Sequence, residues 1–451
     1  MIVSFSVSNF RSFSSEETFS LVASNRLSGR HDQHAVPIPD SSEHVLRTAV
    51  LYGANGAGKS NLFKALRYMK SVASEPRPKN SGTGREAFRL EGETNEASLF
   101  DLQFIAQEKL YRFGFKIDDH RIREEWLVRI VGGREKALYE RVTDDAGSVS
   151  IQVPGVAGKK VQALATVGGP QNQSFLATVQ ANLEAPDFGD ELGAVLGWFK
   201  RALKLIAPDE SSVNALGLIL KSDPDLLEFA SDFLKNSSTG IDHLEIAKDE
   251  VSRDELHGML DEQIKFRGFK DQDDSASVRI DHGQPFEFER AGENRWNLIR
   301  IQAAHEHRPG EVVPFELTEE SDGTQRLLHL IPALHDLRKG GVYFIDEIDR
   351  SLHPMLVRNF LEFFLKSCGG SQSQLVMTTH ESNLLDQELL RRDEIWFAEK
   401  DSAGATHLYS LMDFKVRNDL EIRKHYLQGR FGAVPFLGDP ARLPIETDQS
   451  A

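Results

Sequence analysis

The N-terminal third of the chain alternates hydrophobic and polar residues with a period of two, which is typical of β-strands. One run covers residues 1–13, and residues 19–22 could pair with it as a second strand. Four further runs, separated by polar turns, lie at residues 99–105, 110–117, 125–131 and 149–153. Strands joined by short polar turns usually pair antiparallel. The pattern therefore predicts an antiparallel meander in this part of the chain.

The middle of the chain has a different hydrophobic period. Between about residues 175 and 260, hydrophobic side chains recur every three or four residues, as at Leu192, Val195 and Phe199. This spacing places them on one face of a helix. Strand-like runs return at residues 277–280 and 285–288, and an α/β pattern begins near residue 312. We therefore predict an α/β protein with a first half-domain at residues 1–160, a mainly helical insertion at 161–300 and a second half-domain at 301–451.

A glycine-rich segment separates a hydrophobic run from an amphipathic one. Residues 48–52 predict a short buried strand, residues 53–60 read GANGAGKS, and residues 60–73 have helical periodicity. The pattern G-x-x-x-x-G-K-S lets backbone N–H groups turn around a polyphosphate, while Lys59 supplies positive charge and the Ser60 hydroxyl can bind Mg²⁺. The alternative is a glycine-rich turn that binds no ligand. The order of strand, loop and helix favours a nucleotide-phosphate site.

A second hydrophobic run, residues 342–345, ends in Asp346 and Glu347. A buried parallel strand would deliver both carboxylates at its C-terminal edge, where open α/β sheets bind their ligands. Asp346 is then the candidate Mg²⁺ carboxylate, and Glu347 is the candidate general base that polarises a water molecule. The alternative is a strand that ends in an acidic turn.

Two other segments carry candidate chemistry. Residues 375–380 predict a short strand that ends in His380, whose imidazole could contact a γ-phosphate. Residues 320–326 read ESDGTQR and open a helical pattern, with Ser321 as the predicted N-cap and Gly323 in the first turn. A hydroxyl and free N–H groups at the start of a helix can bind a phosphate. The alternatives are a structural histidine and an ordinary capped helix.

Composition narrows the functional classes. The net charge of −16 argues against bulk electrostatic attraction to nucleic acid, so that nucleic-acid binding stays open but unsupported. A single cysteine, Cys368, excludes an internal disulfide framework and fits a reducing compartment. The sequence contains neither the pattern of a signal peptide nor a hydrophobic run of membrane-spanning length. We therefore expect a cytoplasmic protein with no membrane partner.

Three polar clusters have the residue types of metal or nuclease sites. They are His31 with His34, His305 with His307, and the acidic residues 271–274. The histidine pairs lack the further ligands of a structural zinc site, and the acidic cluster follows no predicted strand. We interpret all three as polar surface.

The order of the motifs resembles that of one ATPase family. The glycine loop is followed far downstream by ESDGTQR, then by the strand ending in Asp-Glu, by IDRSLHP at residues 348–354 and by Thr-Thr-His. This order is similar to the ABC-type ATPase head in its RecF/SMC branch, and residues 7–13 resemble the first strand of that branch. More narrowly, the chain resembles RecF-like AAA-family ATPases of prokaryotic phage-defence operons, including the ATPase component of PARIS-type systems. Residues 393–400 and 426–432 resemble C-terminal elements of that group.

The resemblance implies a P-loop ATPase head, built from both ends of the chain, that binds ATP and Mg²⁺. It places Ser321 and Gly323 in a signature element that completes the nucleotide site of a second copy, so that two copies enclose ATP head to tail. Asp322 and Thr324 depart from the usual LSGGQ form of that element. The residues implied to contact the nucleotide within one copy are Asn55, Gly56, Ala57, Gly58, Lys59, Ser60, Asn61 and Arg11.

The resemblance also implies a partner protein. ATP would close the two heads, hydrolysis would open them, Asp349 would couple the two sites, and an effector from the same operon would respond. The glutamine loop of this fold is not placed, because Gln103 lies in the right interval but on a predicted strand. One alternative is a RecF-like repair ATPase that clamps DNA. Another is an ATPase fused to its own nuclease, for which the about seventy residues after His380 are too few.

Overall fold

The computed structural model describes residues 1–27, 29–79, 81–90, 96–154, 158–208, 216–252, 255, 275–278, 286–292, 295–367, 372–415 and 420–434. The chain forms two compact units, one of residues 1–200 with 376–451 and one of residues 201–375. The predicted acidic cluster at 271–274 and Cys368 lie outside the described residues. Within the described ranges, no helix has the length and hydrophobicity needed to cross a bilayer.

The regular elements are numbered in chain order. The strands are β1 (Ile2–Ser8), β2 (Glu17–Ser20), β3 (Ala35–Pro37), β4 (His44–Leu46), β5 (Thr48–Tyr52), β6 (Ser98–Ala106), β7 (Lys109–Ile117), β8 (Ile122–Val131), β9 (Arg134–Thr143), β10 (Val149–Gln152), β11 (Leu203–Ile206), β12 (Ile241–Ser252), β13 (Ser275–Val278), β14 (Phe286–Arg290), β15 (Arg295–Arg308), β16 (Glu311–Glu316), β17 (Val342–Ile345), β18 (Gln374–Thr378), β19 (Ile395–Lys400) and β20 (Thr406–Ser410). The helices are α1 (Lys59–Ser74), α2 (Lys159–Val167), α3 (Phe175–Asn182), α4 (Gly189–Gly197), α5 (Leu216–Ser222), α6 (Pro224–Lys235), α7 (Asp322–Leu337), α8 (Pro354–Ser367) and α9 (Ile422–Leu427).

The first unit contains a seven-stranded antiparallel sheet in the order β10-β9-β8-β7-β6-β1-β2. Its core is aromatic, since the Phe100 ring contacts the rings of Phe10 and Phe115 at centroid distances of 5.1 and 5.0 Å. Such buried aromatic pairs add to the hydrophobic free energy of folding. The antiparallel lobe predicted from the alternating pattern is confirmed. Strand β9 was not predicted, because most of its residues are polar and exposed or half-buried.

A second group of strands in this unit has the order β18-β5-β19-β20. β5 and β19 run parallel, and β19 and β20 run antiparallel. All five residues of β5 are buried. A strand covered on both faces has a continuous hydrophobic sequence, which is why the pattern at residues 48–52 predicted it correctly. The glycine loop begins at the C-terminal end of this strand.

The second unit contains an antiparallel sheet in the order β12-β15-β14-β13, with β16 paired to β15. β11 and β17 also pair, and they run parallel. Helices α6 and α7 belong to this unit, and the Phe229 ring on α6 lies 5.6 Å from the His335 ring on α7. The α/β class is confirmed, and helices α2 to α6 lie where a helical insertion was expected. The three domain ranges stay a prediction.

The prediction of helix is wrong for Ile241–Ser252, which forms strand β12. Ile241, Leu244 and Val251 have a spacing that also fits a helix, so periodicity alone misassigned them. The strand pairs with β15 along its whole length. Ion pairs across the two strands, such as that between Arg295 and Glu250 at 2.8 Å, join their exposed faces. Tertiary pairing therefore overrides local periodicity here.

Candidate functional site

The glycine loop lies between β5 and α1, as predicted, and α1 begins at Lys59. Gly56 and Gly58 have φ angles of 76° and 110°, in the left-handed region that glycine tolerates best. A Cβ atom at Gly53 would lie 2.6 Å from the Ala398 carbonyl oxygen, and one at Gly58 would collide with the Thr406 side chain. The space beside Gly56 is open, with no heavy atom within 4 Å of a Cβ placed there. Backbone shape and close packing therefore both require the glycines of this loop.

The start of α1 fits an anion. The first N–H groups of a helix have no acceptors within the helix, and the helix dipole places partial positive charge there. The N-cap is Gly58, which offers no side-chain oxygen to these donors. Ser60 is half-buried, whereas Asn55 and Gly56 are exposed on the loop. The donor set and the open face at Gly56 fit a phosphate chain.

Lys59 and His380 lie together at the base of the loop. The buried Lys59 ammonium donates to the carbonyl oxygens of Gly53 and Ala54 at 2.8 and 3.3 Å, and its Nζ lies 3.1 Å from His380 Nε2. Because an ammonium can only donate, the imidazole nitrogen that faces it is the unprotonated one. His380 follows β18 and is exposed, so its ring can reach a ligand. These two predicted site residues, 321 positions apart in sequence, are thus brought into contact.

Two other residues that were predicted to contact the nucleotide, Arg11 and Asn61, bind protein groups in this structure. Arg11 has a φ of 52°, and its guanidinium pairs with Glu86. The Asn61 side chain on α1 donates from Nδ2 to Ser12 Oγ at 2.7 Å. Both residues lie in the same unit as the loop, and their contact with a nucleotide stays a prediction.

Asp346 and Glu347 follow the wholly buried strand β17 in the second unit. The backbone N–H of Asp346 donates to the Ile206 carbonyl at 2.9 Å, which extends the β11–β17 pairing. Asp346 is buried, whereas Glu347 is half-buried and has a φ of 48°. A non-glycine residue in the left-handed region is uncommon, and such strain concentrates at functional positions. Glu347 is one of the described non-glycine residues with this backbone conformation, and its role as general base stays a prediction.

A side-chain hydrogen bond joins β17 to α7. The Tyr343 hydroxyl donates to Asp336 Oδ2 at 2.9 Å, and burial together with that carboxylate raises the pKa of Tyr343 well above its usual value. The tyrosine thus stays a neutral donor at any physiological pH. Asp346 follows a strand that side-chain hydrogen bonding ties to α7.

Ser321 caps α7, as predicted, since its Oγ accepts from the Thr324 N–H at 3.2 Å. A Cβ atom at Gly323 would lie 2.7 Å from the Ser351 carbonyl oxygen, so the first turn of α7 packs against the turn that follows Glu347. Ser321 itself is exposed. Within the second unit, the first turn of α7, which contains the predicted signature residues, therefore packs against the segment after Glu347, and the Ser321 hydroxyl is hydrogen-bonded to Thr324.

Several contacts around these residues were not predicted. His305 Nε2 lies 2.6 Å from an oxygen of Glu320, the residue before Ser321. Ser12 and Thr406 form hydrogen bonds to residues of the glycine loop and α1. The one sequence signal for Ser12 was its place in the run VSNFRSF, and Thr406 had none.

One of the histidines that were interpreted as polar surface is buried. His34 is buried and its Nδ1 lies 3.0 Å from Glu394, a carboxyl group whose pKa is raised by burial. The interpretation as surface is therefore wrong for His34, because the buried carboxylate provides a partner that the sequence did not reveal. Among the described residues, no group of three or more His, Cys, Asp or Glu side chains could hold a metal ion by itself.

Three SMC heads are among the solved structures that the chain matches. The SmcHead bound to the C-winged helix domain of ScpA is 12% identical, with a TM-score of 0.44 and coverage of 91% of this chain and 97% of that chain. The SMC head domain from Thermotoga maritima is 12% identical, with a TM-score of 0.38 and coverage of 91% and 98%. The Smc head domain with an extended coiled coil, bound to the C-terminal domain of ScpA derived from Pyrococcus furiosus, is 12% identical, with a TM-score of 0.34 and coverage of 91% and 96%.

No curated protein matches the sequence. One family model matches residues 49–386, which span the glycine loop, the signature segment, the Asp-Glu strand and His380. That family is described as "AAA domain, putative AbiEii toxin, Type IV TA system". Since the match covers well over half of the 451 residues, the chain belongs to this family of AAA domains.

Proposed function

We propose that this protein binds ATP at residues 53–60 and hydrolyses it with Mg²⁺. One observation carries the proposal: the Lys59 ammonium and His380 Nε2 meet, 3.1 Å apart, at the base of a loop that is shaped by glycines. The Lys59 ammonium and the first N–H groups of a helix are donors suited to the terminal phosphates of a nucleotide, and the His380 imidazole lies beside them. Membership of an AAA family supports the same conclusion.

The roles follow from the chemistry of each group. Lys59 would exchange the carbonyl oxygens of Gly53 and Ala54 for phosphate oxygens, and the loop N–H groups would donate to the same chain of phosphates. Ser60 and Asp346 would hold Mg²⁺, which supplies charge neutralisation to the phosphate oxygens. Glu347 would accept a proton from the attacking water, and His380 would stabilise charge on the γ-phosphate.

Dimerisation around the nucleotide is the second part of the proposal. Ser321 is exposed and caps the N-terminus of α7, where a hydroxyl and a helix dipole favour an anion. Gly323 allows this turn to pack closely on Ser351, so that the residue that carries the hydroxyl, Ser321, belongs to a packed turn. We propose that Ser321 and Gly323 complete the nucleotide site of a second copy, with ATP closing the pair and hydrolysis opening it.

The biological context is the third part. The family description names a putative toxin of a type IV toxin–antitoxin system, which supports a protein that acts with a partner. We propose a cytoplasmic switch that controls an effector from the same operon in antiviral defence. A RecF-like DNA-binding ATPase is the competing function. Salt-dependent DNA binding by the purified protein would favour the competitor, whereas co-purification of a neighbouring-gene product without DNA would favour the switch.

The test of the first part is a steady-state ATPase assay with Mg²⁺. Glu347→Gln removes the proposed base and should lower kcat by about 10²–10⁴-fold, a typical contribution of general-base catalysis, with ATP affinity retained. Lys59→Ala should weaken ATP binding by about 10–100-fold, because hydrogen bonds to a charged donor are lost. Lys64→Ala is the matched control, since Lys64 is exposed on the same helix. A wild-type rate for Glu347→Gln would contradict the role of Glu347.

The test of the second part is the oligomeric state. Sedimentation of Glu347→Gln with ATP and Mg²⁺ should show a dimer or a larger assembly, whereas the same protein with ADP should sediment as a smaller species. Ser321→Ala combined with Glu347→Gln should weaken this ATP-dependent association. An assembly whose size is the same with ATP and with ADP would contradict the proposed switch.

A further inference from the structure

A chain of hydrogen bonds connects α1 to the glycine loop through two hydroxyl groups from distant parts of the sequence. Asn61 Nδ2 donates to Ser12 Oγ at 2.7 Å, Ser12 Oγ lies 2.8 Å from Thr406 Oγ1, and Thr406 Oγ1 lies 2.9 Å from the Ala57 carbonyl oxygen. Ser12 and Thr406 are 6% and 1% exposed. The polar groups are therefore shielded from water and depend on one another.

Thr406 Oγ1 lies within hydrogen-bond distance of two acceptors, Ser12 Oγ and the Ala57 carbonyl oxygen. Because a carbonyl oxygen can only accept, the bond to Ala57 depends on the hydroxyl proton of Thr406. Ser12 Oγ also accepts from the Asn61 amide, so the three side chains are joined beside the loop.

The last bond of the chain fixes the orientation of one peptide group in the loop. In a trans peptide, the carbonyl oxygen and the following N–H point in opposite directions. The described residues contain no cis peptide bond. When Thr406 holds the Ala57 carbonyl, the N–H of Gly58 must therefore point away from Thr406. The Thr406 side chain also fills the space in which a Cβ atom of Gly58 would lie.

The backbone holds Thr406 in place. Its N–H donates to the Ser12 carbonyl at 2.7 Å, so the start of β20 is tied to the turn after β1. Neither segment belongs to the motifs that define the glycine loop. Two parts of the chain that are 394 residues apart thus act together on one peptide group.

We propose that Thr406, supported by Ser12, is a positioning residue that aims the Gly58 N–H at a bound phosphate. This assignment rests on the proposed ATP binding, but it concerns residues outside the loop. Thr406 acts through Ala57 and Gly58 and does not itself contact the nucleotide. Its loss should affect the affinity for ATP more than the catalytic step, because Glu347 is not altered.

The test uses Thr406→Val, which keeps the shape of the side chain and removes the hydroxyl. Titration with ATP and Mg²⁺ should show affinity weakened by about tenfold or more, since a buried carbonyl loses its donor and the peptide is free to turn. KM for ATP should rise correspondingly, while kcat changes by less than about threefold. Thr406→Ser restores the hydroxyl and should return KM to near the wild-type value.

The matched control is Thr143→Val. Thr143 is a buried threonine in the same unit, and its Oγ1 donates to the Ile122 carbonyl at 2.6 Å on strands outside the loop. This variant loses the same kind of bond, so it should lose similar thermal stability without a change in KM. Ser12→Ala is a second variant, which interrupts the chain but leaves Thr406 able to donate to Ala57. It should raise KM less than Thr406→Val does, and it provides the measurement if Thr406→Val does not fold.

The outcomes separate this assignment from the proposed function. If the wild type and Thr143→Val bind ATP and Thr406→Val binds it equally well, the positioning role is overturned and ATP binding stands. An unchanged KM for Ser12→Ala, in the case that Thr406→Val does not fold, has the same consequence. If the wild type itself binds no ATP, the proposed function and the assignment are both overturned.

Discussion

Gly58→Ala should destabilise the protein more than Gly56→Ala, although both glycines have positive φ in the same loop. The left-handed backbone costs a residue with a side chain about 1–2 kcal/mol, and restriction of the unfolded chain offsets about 0.4–1 kcal/mol of this. These two terms apply to both positions. At Gly58 the added methyl group also meets the Thr406 side chain, whereas at Gly56 it meets open space. Overpacking of this kind costs about 1–3 kcal/mol.

The assay is urea unfolding of the two variants and the wild type, followed by a double-mutant cycle. We expect the free energy of unfolding to be lower for Gly58→Ala than for Gly56→Ala by about 1–3 kcal/mol, the overpacking term alone. Adding Thr406→Ala removes the two atoms that the methyl group would approach most closely, so the pair should be less destabilising than the sum of the single changes. Equal stability of Gly56→Ala and Gly58→Ala would refute the packing argument.

Two further predictions concern Ser321 and Glu125. Ser321→Ala should lower the ATPase rate by about tenfold or more without changing ATP affinity. Loss of an N-cap alone costs about 1 kcal/mol of stability, so a residue that served only as a cap would leave the rate unchanged. Ser174→Ala, which removes the N-cap of α3, is the control, and an equal loss of rate there would contradict the signature role. The buried Glu125 carboxyl group has a raised pKa because of desolvation, so the native state holds its proton more tightly than the unfolded state does. Its contribution is fully present below the unfolded pKa near 4.5 and is lost as pH rises through the native value. The free energy of unfolding of the wild type should therefore fall relative to that of Glu125→Gln as the pH rises, and a difference that is independent of pH in urea titrations would refute the assignment.

Much of the nucleotide-binding region could be predicted from sequence because its signals are local. The strand at Thr48–Tyr52 is buried throughout, Gly56 and Gly58 have positive φ, and α1 begins within one residue of the expected position. The strand before Asp346 and the cap at Ser321 are local signals of the same kind. Each of these elements is determined by neighbours along the chain, so periodicity and capping rules suffice.

The rest depends on partners that are distant in sequence. The contact of Lys59 with His380 and that of Ala57 with Thr406 join residues more than 300 positions apart, and no local pattern indicates them. The burial of His34 likewise depends on Glu394. The misassigned strand β12 is a further case, because pairing with β15 decides its structure. Side-chain chemistry predicted which groups matter, but not which of them already bind one another.

A structure of Glu347→Gln with ATP and Mg²⁺ would show whether the glycine loop binds the nucleotide. We expect the Lys59 ammonium to leave the carbonyls of Gly53 and Ala54 and to bind the β- and γ-phosphates, and Ser60 and Asp346 would hold Mg²⁺. We also expect Ser321 of a second copy to lie against the γ-phosphate. A nucleotide bound elsewhere, or a Lys59 that still donates to both carbonyls while ATP is bound, would refute ATP binding at this loop.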